Sequence, residues 1–242
     1  WNYSRSFAFS LAGPFWHEGA SLKYDHDSGF GAGFYIYDNW DSSTENNKEK
    51  FKSLIQSELP IESYLELAIW YANSSRFDES IKVLELSPKN TEVLFWLAWL
   101  HKQIDNPESN QYIDRAEKSD LSFVFPFREE TAEILKWVTA QKKSWKADYL
   151  LALIHNFRGN TEKALNLLNI HSDATVFAPF YFLKAKLDVK SSVDAKIKLI
   201  ERAVQIAPKE WRYSRALSHL YIQSKQYKSA VKTLEKQYKM DN

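Results

Sequence analysis

Cysteine is absent from the 242 residues, which excludes disulfides and thiolate-bound metals. Glycine is nearly absent after residue 33. Five of the six lie between Gly13 and Gly33, and the sixth is Gly159. Glycine costs about 1 kcal/mol inside a helix, so a long glycine-poor stretch rich in Leu, Ala, Lys and Glu favours helix. No run of eighteen apolar residues occurs, so no membrane-spanning helix is expected. No secretory signal is expected within these 242 residues, which leaves open what the longer polypeptide carries. Methionine occurs once, at Met240, and the chain starts at Trp1; the expectation is a piece cut from a longer polypeptide.

The formal net charge of +1 hides an asymmetry. Residues 1–44 carry two basic and five acidic side chains, whereas residues 184–242 carry fourteen basic and six acidic. Such a basic end reads as a solvated lysine-rich helix surface. The alternative is attraction of an acidic partner or a phosphate backbone.

Within the glycine-poor stretch, apolar residues recur with helical period. Tyr64, Leu67, Ala68 and Tyr71 fall at i, i+3, i+4 and i+7, on one helix face. After Ser74-Ser75-Arg76 a second run holds Phe77, Ser80, Ile81 and Leu84, and Pro88 closes it. Two amphipathic helices joined by a tight turn form a hairpin that cannot bury its apolar face alone. The unit returns as Leu94, Leu97, Ala98 and His101 with Tyr112, Ile113 and Ala116. It returns again as Leu151, Ala152 and His155 with Ala164, Leu165 and Leu168, around Gly159-Asn160. A looser copy holds Leu183, Leu187 and Ala203. The last has Leu217, Ser218 and Tyr221 with Tyr227, Ala230, Val231 and Leu234. Pro60, Pro88, Pro126, Pro179 and Pro208 stand at predicted helix ends.

This pattern resembles the tetratricopeptide repeat. Tyr64, Leu67, Ala68, Tyr71, Phe77 and Leu84 occupy that family's slots in the first clear copy, and Tyr221, Tyr227, Ala230 and Leu234 do so in the last. The copies are degenerate, because their spacing is irregular and only Gly159 keeps the turn glycine. The resemblance implies an all-α, right-handed solenoid of tetratricopeptide-like hairpins over residues 45–242. A second resemblance rests on Ser53–Pro60, Tyr64–Tyr71, Phe123–Arg128, Phe177–Tyr181 and Trp211–Tyr213. These stretches look like large uncharacterised bacterial proteins in which a β-sandwich region similar to sugar mutarotase domains precedes the repeats.

Residues 1–44 read in two ways. Their glycines, aromatics and alternation, as in Phe7-Ala8-Phe9-Ser10-Leu11, suggest strands. The resemblance instead likens Leu22–Asp25 to the end of a second helix and Phe30–Tyr37 to the next first helix. A degenerate helical repeat is the expectation for 1–44, and a β-rich remnant the alternative. Residues 119–147 read as a long corner followed by a helix striped with Ile134, Leu135 and Val138. Phe123, Phe125 and Phe127 around Pro126 are expected to plug the core, since aromatics bury large areas.

Catalytic motifs fail on inspection. Gly29-Phe30-Gly31-Ala32-Gly33 lacks the third glycine of a dinucleotide loop, where Phe34 stands, and the lysine of a P-loop. None of His17, His26, His101, His155, His171 and His219 lies three or four residues from another, the spacing of a helical metal site. His101 and His155 occupy repeat slots that usually hold Tyr and are read as packing residues. Asp25-His26-Asp27 reads as a solvated turn, and Glu129-Glu130 as charges favoured at a helix start. No cofactor or metal is expected, and no enzyme activity.

What remains is the groove. Repeat resemblance implies that the first helix of each hairpin lines a concave face, here with Phe95, Trp99, Lys102, Tyr149, Asn156, Tyr181, Arg212, Arg215 and His219. Aromatics and arginine are the residue types that anchor interfaces. The expected function is a non-catalytic scaffold in the cytoplasm for a protein or peptide, including an upstream domain of the same chain. The resemblance to mutarotase-containing proteins adds an alternative, the accessory domain of a carbohydrate-active protein. RNA binding by the basic end is a further one, with nucleic acid and membrane not the expected partners.

Overall fold

The structure is a computed structural model that describes residues 19–25, 31–37, 52, 60–171 and 176–241. Phe7–Leu11, His17, His26, Asp27, Gly29, Phe30 and the 53–59 motif lie outside the described residues. Two strands, β1 (Gly19–Asp25) and β2 (Gly31–Tyr37), precede the helices. Eleven helices follow among the described residues. They are α1 (Pro60–Asn73), α2 (Phe77–Leu86), α3 (Thr91–Gln103), α4 (Ser109–Lys118), α5 (Glu129–Gln141) and α6 (Trp145–Phe157). The rest are α7 (Thr161–Asn169), α8 (Ala178–Leu187), α9 (Val193–Ile206), α10 (Trp211–Gln223) and α11 (Tyr227–Asp241).

The strands correct the helical reading of the N-terminal segment. β1 and β2 pair antiparallel, with Gly19 opposite Tyr37, Leu22 opposite Phe34 and Asp25 opposite Gly31. Gly31 and Gly33 would each weaken a helix, and Tyr35-Ile36-Tyr37 has the β-branched and aromatic character that strands favour.

Chain packing divides into two compact units. One comprises Trp1–Lys89 with Leu100–Ser109, the other Asn90–Trp99 with Asn110–Asn242. In the first, α1 packs on α2. Tyr64, Leu65, Ala68, Ile69 and Tyr71 of α1 and Ser80, Val83 and Leu84 of α2 are buried. The Ser80 hydroxyl donates to the Ala68 carbonyl at 2.8 Å, which fastens one helix to the other where both residues are small. In the second unit, α5 to α11 pack in series, each on the next.

One turn closes four of the hairpins. Ser75, Asp105, Gly159 and Lys225 each take a left-handed φ of +52° to +76°. Each following amide donates five residues back, Arg76 to Tyr71, Asn106 to His101, Asn160 to His155 and Gln226 to Tyr221, at 2.7–2.9 Å. The left-handed residues themselves donate three residues back, to Ala72, Lys102, Asn156 and Ile222, at 2.9–3.1 Å. This double bond is the Schellman motif, which satisfies the orphan carbonyls at a helix end. The four acceptors of the longer bond sit in the repeat slot read from sequence. The looser copy departs here too. After α8, the Asp188 carboxylate accepts from the Ser191 amide at 3.0 Å instead.

Some helix starts are held by side chains. Ser144 accepts from the Ala147 amide at 3.0 Å and Ser192 from the Ala195 amide at 3.2 Å. The α4 C-terminus is held from another helix, because the buried Lys146 ammonium donates to the carbonyls of Ala116 and Ser119. A cation at that end also complements the helix dipole. Removal from water lowers the Lys146 pKa, against the pull of Glu117 and Asp120.

Two expectations are overturned. Phe123, Phe125 and Phe127 are exposed, Phe123 by 90%. Leu121, Val124 and Pro126 turn inward instead, because Phe123 takes a left-handed φ of +59° that shifts the alternation outward. In α11, Ala230 is buried, but Tyr227, Val231 and Leu234 face solvent. Among the described residues no helix follows to cover them.

Gly159 supplies the cleanest test of the turn. A Cβ there would meet no atom within 4 Å, so Gly159→Ala carries only the left-handed penalty. The variant is expected to unfold about 1–2 kcal/mol more easily. Urea unfolding measures this, and an unchanged midpoint would mean that the turn does not form.

Candidate functional site

The nine groove residues separate by burial. Phe95, Tyr149 and Tyr181 are buried in the core, which corrects their reading as groove anchors, since they offer a partner no surface. Trp99 and Asn156 are partly buried. The Trp99 ring meets Trp96 edge-on at 6.0 Å. Lys102 is exposed and pairs with Asp105 at 3.4 Å. Arg212, Arg215 and His219 are exposed together on α10.

The buried aromatics show why their helices pack. Tyr149 meets Phe177 edge-on at 5.4 Å and lies 6.1 Å from Phe180, which meets Tyr181 at 5.5 Å. Phe182 continues to Tyr213 at 5.2 Å. Aromatic contacts therefore link α6 to α8 and α8 to α10, the first helices of successive hairpins. Burial raises the Tyr149 pKa well above that of a free phenol.

The α10 face is the arrangement with the most recognition chemistry. Trp211, Arg212, Arg215, Ala216 and His219 line an open groove of about 440 Å³. Their spacing of one, four, five and eight residues from Trp211 puts them on one side of the helix. Trp211 is 48% exposed. The guanidinium carbon of Arg212 lies 5.7 Å from the indole and that of Arg215 6.0 Å. Glu210 caps α10 by accepting from the Arg212 amide at 3.2 Å, and its carboxylate lies 3.4 Å from the Arg212 side chain. A tryptophan stacked with cations presents both apolar area and donors for a carboxylate or phosphate. The sequence reading missed Trp211, although it precedes two chosen arginines on the same face.

A second cleft, of about 290 Å³, lies between α9, α10 and α11. Its floor is polar but internally satisfied. Ser214 bonds Gln237 at 2.9 Å, and the Tyr221 hydroxyl donates to Glu201 at 2.6 Å. Burial, and then the Glu201 carboxylate, push the Tyr221 pKa up to about 12.

Other polar groups serve the scaffold. His171 and Asp148 are buried together, Nε2 to Oδ2 at 2.5 Å, tying the end of α7 to the start of α6. Trp96 donates to the Thr131 hydroxyl at 3.0 Å, and Thr131 donates to the buried Glu92 at 2.9 Å. His101 is buried, and the half-exposed Glu108 carboxylate lies 3.8 Å from its Nδ1. Desolvation first, then Lys163 and Lys136, lower the His155 pKa. Among the described residues, no group of three or more His, Asp or Glu side chains converges as a metal site. No helix among them is long and apolar enough to cross a membrane.

Comparison with known proteins adds three findings. A family described as putative β-barrel porin-2, OmpL-like, matches residues 1–93, where the described residues form the β-hairpin, α1, α2 and the start of α3. No curated protein matches. Among solved structures, a crystal structure of MamA is 21% identical, with 72% of this chain and 94% of that chain covered at a TM-score of 0.43. A MamA from Desulfovibrio magneticus RS-1 is 13% identical, with coverages of 74% and 94% and a TM-score of 0.42. The recurring Schellman turn, the packing of α1 on α2 in the first unit and the serial packing of α5 to α11 in the second are those of degenerate tetratricopeptide-like helical hairpins.

Tyr221 gives a pH-dependent prediction. Its pKa is raised in the fold, so its contribution is complete below pH 10 and lost as pH rises through about 12. Tyr221→Phe should cost about 1 kcal/mol near neutrality and flatten the alkaline fall in stability. Parallel pH profiles for the two proteins would show that the Tyr221–Glu201 bond contributes nothing.

Proposed function

We propose that this chain is a non-catalytic scaffold that binds a protein or peptide partner through the exposed face of α10. The observation that carries the reading is the half-exposed Trp211 flanked by Arg212 and Arg215, with His219 two turns along. Interface energy concentrates on tryptophan, tyrosine and arginine, and here two of the three share one helix face. The groove is open and shaped like a landing surface more than a substrate pocket. Arg212 and Arg215 favour a partner segment with carboxylates, because guanidinium binds these bidentately. Such a segment belongs to a separate chain or to another domain of the same polypeptide.

The direct test compares wild type with Arg212→Glu, Arg215→Glu in affinity purification from the source cells. Both side chains are exposed, so folding is expected to be unchanged within about 0.5 kcal/mol. Recovery of the wild-type partner should fall about tenfold or more, equivalent to about 1.4 kcal/mol. Unchanged recovery would remove α10 as the binding face. Nuclease-sensitive capture would replace the protein partner with nucleic acid.

A further inference from the structure

The last helix carries a surface that the α10 reading does not use. Tyr227, Val231, Leu234 and Tyr238 fall at i, i+4, i+7 and i+11, one stripe along α11. They are 60%, 56%, 46% and 72% exposed. Four consecutive large apolar side chains on one helix face form a contiguous patch of the kind that marks an interaction site. On one side of the stripe the helix turns into its own core through Ala230 and Gln237. On the other side runs a band of exposed lysines, Lys228, Lys232, Lys236 and Lys239, interrupted by one acid, Glu235. None of the four lysines forms an ion pair among the described residues.

We propose that α11 docks an amphipathic helix from another protein, whose apolar ridge covers Tyr227, Val231, Leu234 and Tyr238 and whose acidic edge faces the lysine band. The apolar stripe is straight and helical in period, which suits ridge-into-groove packing by a second helix. The lysines select the sign of that helix's edge. Charge also decides against a second copy laid antiparallel on the same stripe, because the two lysine bands would then meet. This site shares no residue with the α10 face; both favour acidic groups, and α11 adds the demand for an apolar ridge.

The test uses the whole chain and two labelled synthetic helices read by fluorescence anisotropy. Both carry leucines at i, i+3, i+4 and i+7; one has glutamates along a single edge and the other lysines. The glutamate peptide should bind at least about tenfold more tightly. The triple variant Lys232→Glu, Lys236→Glu, Lys239→Glu should reverse that order. Val231→Asp with Leu234→Asp should weaken both peptides while leaving the unfolding midpoint in place, as these side chains are exposed. Equal binding of the two peptides, no binding of either, or binding that survives the aspartates would overturn the proposal. So would concentration-dependent self-association that the aspartates abolish, since the occupant would then be a second copy.

Discussion

Every helix in the array depends on burial that it cannot achieve alone. From Thr91 to Ala98, each residue of α3 is buried, and most of α8 is. A helix apolar all round is stable only when covered on several sides, so hairpins must be stacked. Aromatic rings make that contact in the second unit, from Tyr149 through Phe177 and Phe180, and from Phe182 to Tyr213. The Schellman turns set the geometry that makes stacking possible, because each returns its second helix along the first.

Much of this architecture was legible in the residues. Tyr71, His101, His155 and Tyr221 fall in one repeat slot by spacing and by the repeat resemblance, and all four accept the same turn bond. Periodicity works here because the apolar face of a buried helix must recur every three or four residues. The turn conformation itself was legible only at Gly159. Ser75, Asp105 and Lys225 adopt it without glycine, so no local signal announces it. The β-hairpin agrees with the alternative that the glycines and alternation of residues 19–37 support, and departs from the helices that the family resemblance implies there.

The candidate site was legible only in part. Periodicity locates a helix face but not what covers it. Phe95, Tyr149 and Tyr181 have interface chemistry, yet neighbouring helices bury them. Arg212, Arg215 and His219 remain outside because α10 packs on α9 and α11 and leaves one flank open. The same limit explains the inversions at Phe123 and on α11. An aromatic is expected to be buried on chemistry alone, while a left-handed Phe123, and an α11 that no other helix among the described residues covers on that face, put several in solvent. The buried His171–Asp148 pair was invisible to spacing, since Asp148 lies on α6 and His171 in the turn after α7. The two exposed faces so found, cationic and aromatic on α10 and apolar with a lysine edge on α11, suit a scaffold.

Successive hairpins of the second unit are joined by aromatic contact between their first helices, α6, α8 and α10. A double-mutant cycle on Tyr149 and Phe180 tests it most directly, using Tyr149→Ala, Phe180→Ala and the pair in urea unfolding. The account predicts a coupling of about 0.5–1.5 kcal/mol, the range of a packed aromatic pair. Additive effects, with no coupling beyond error, would contradict it.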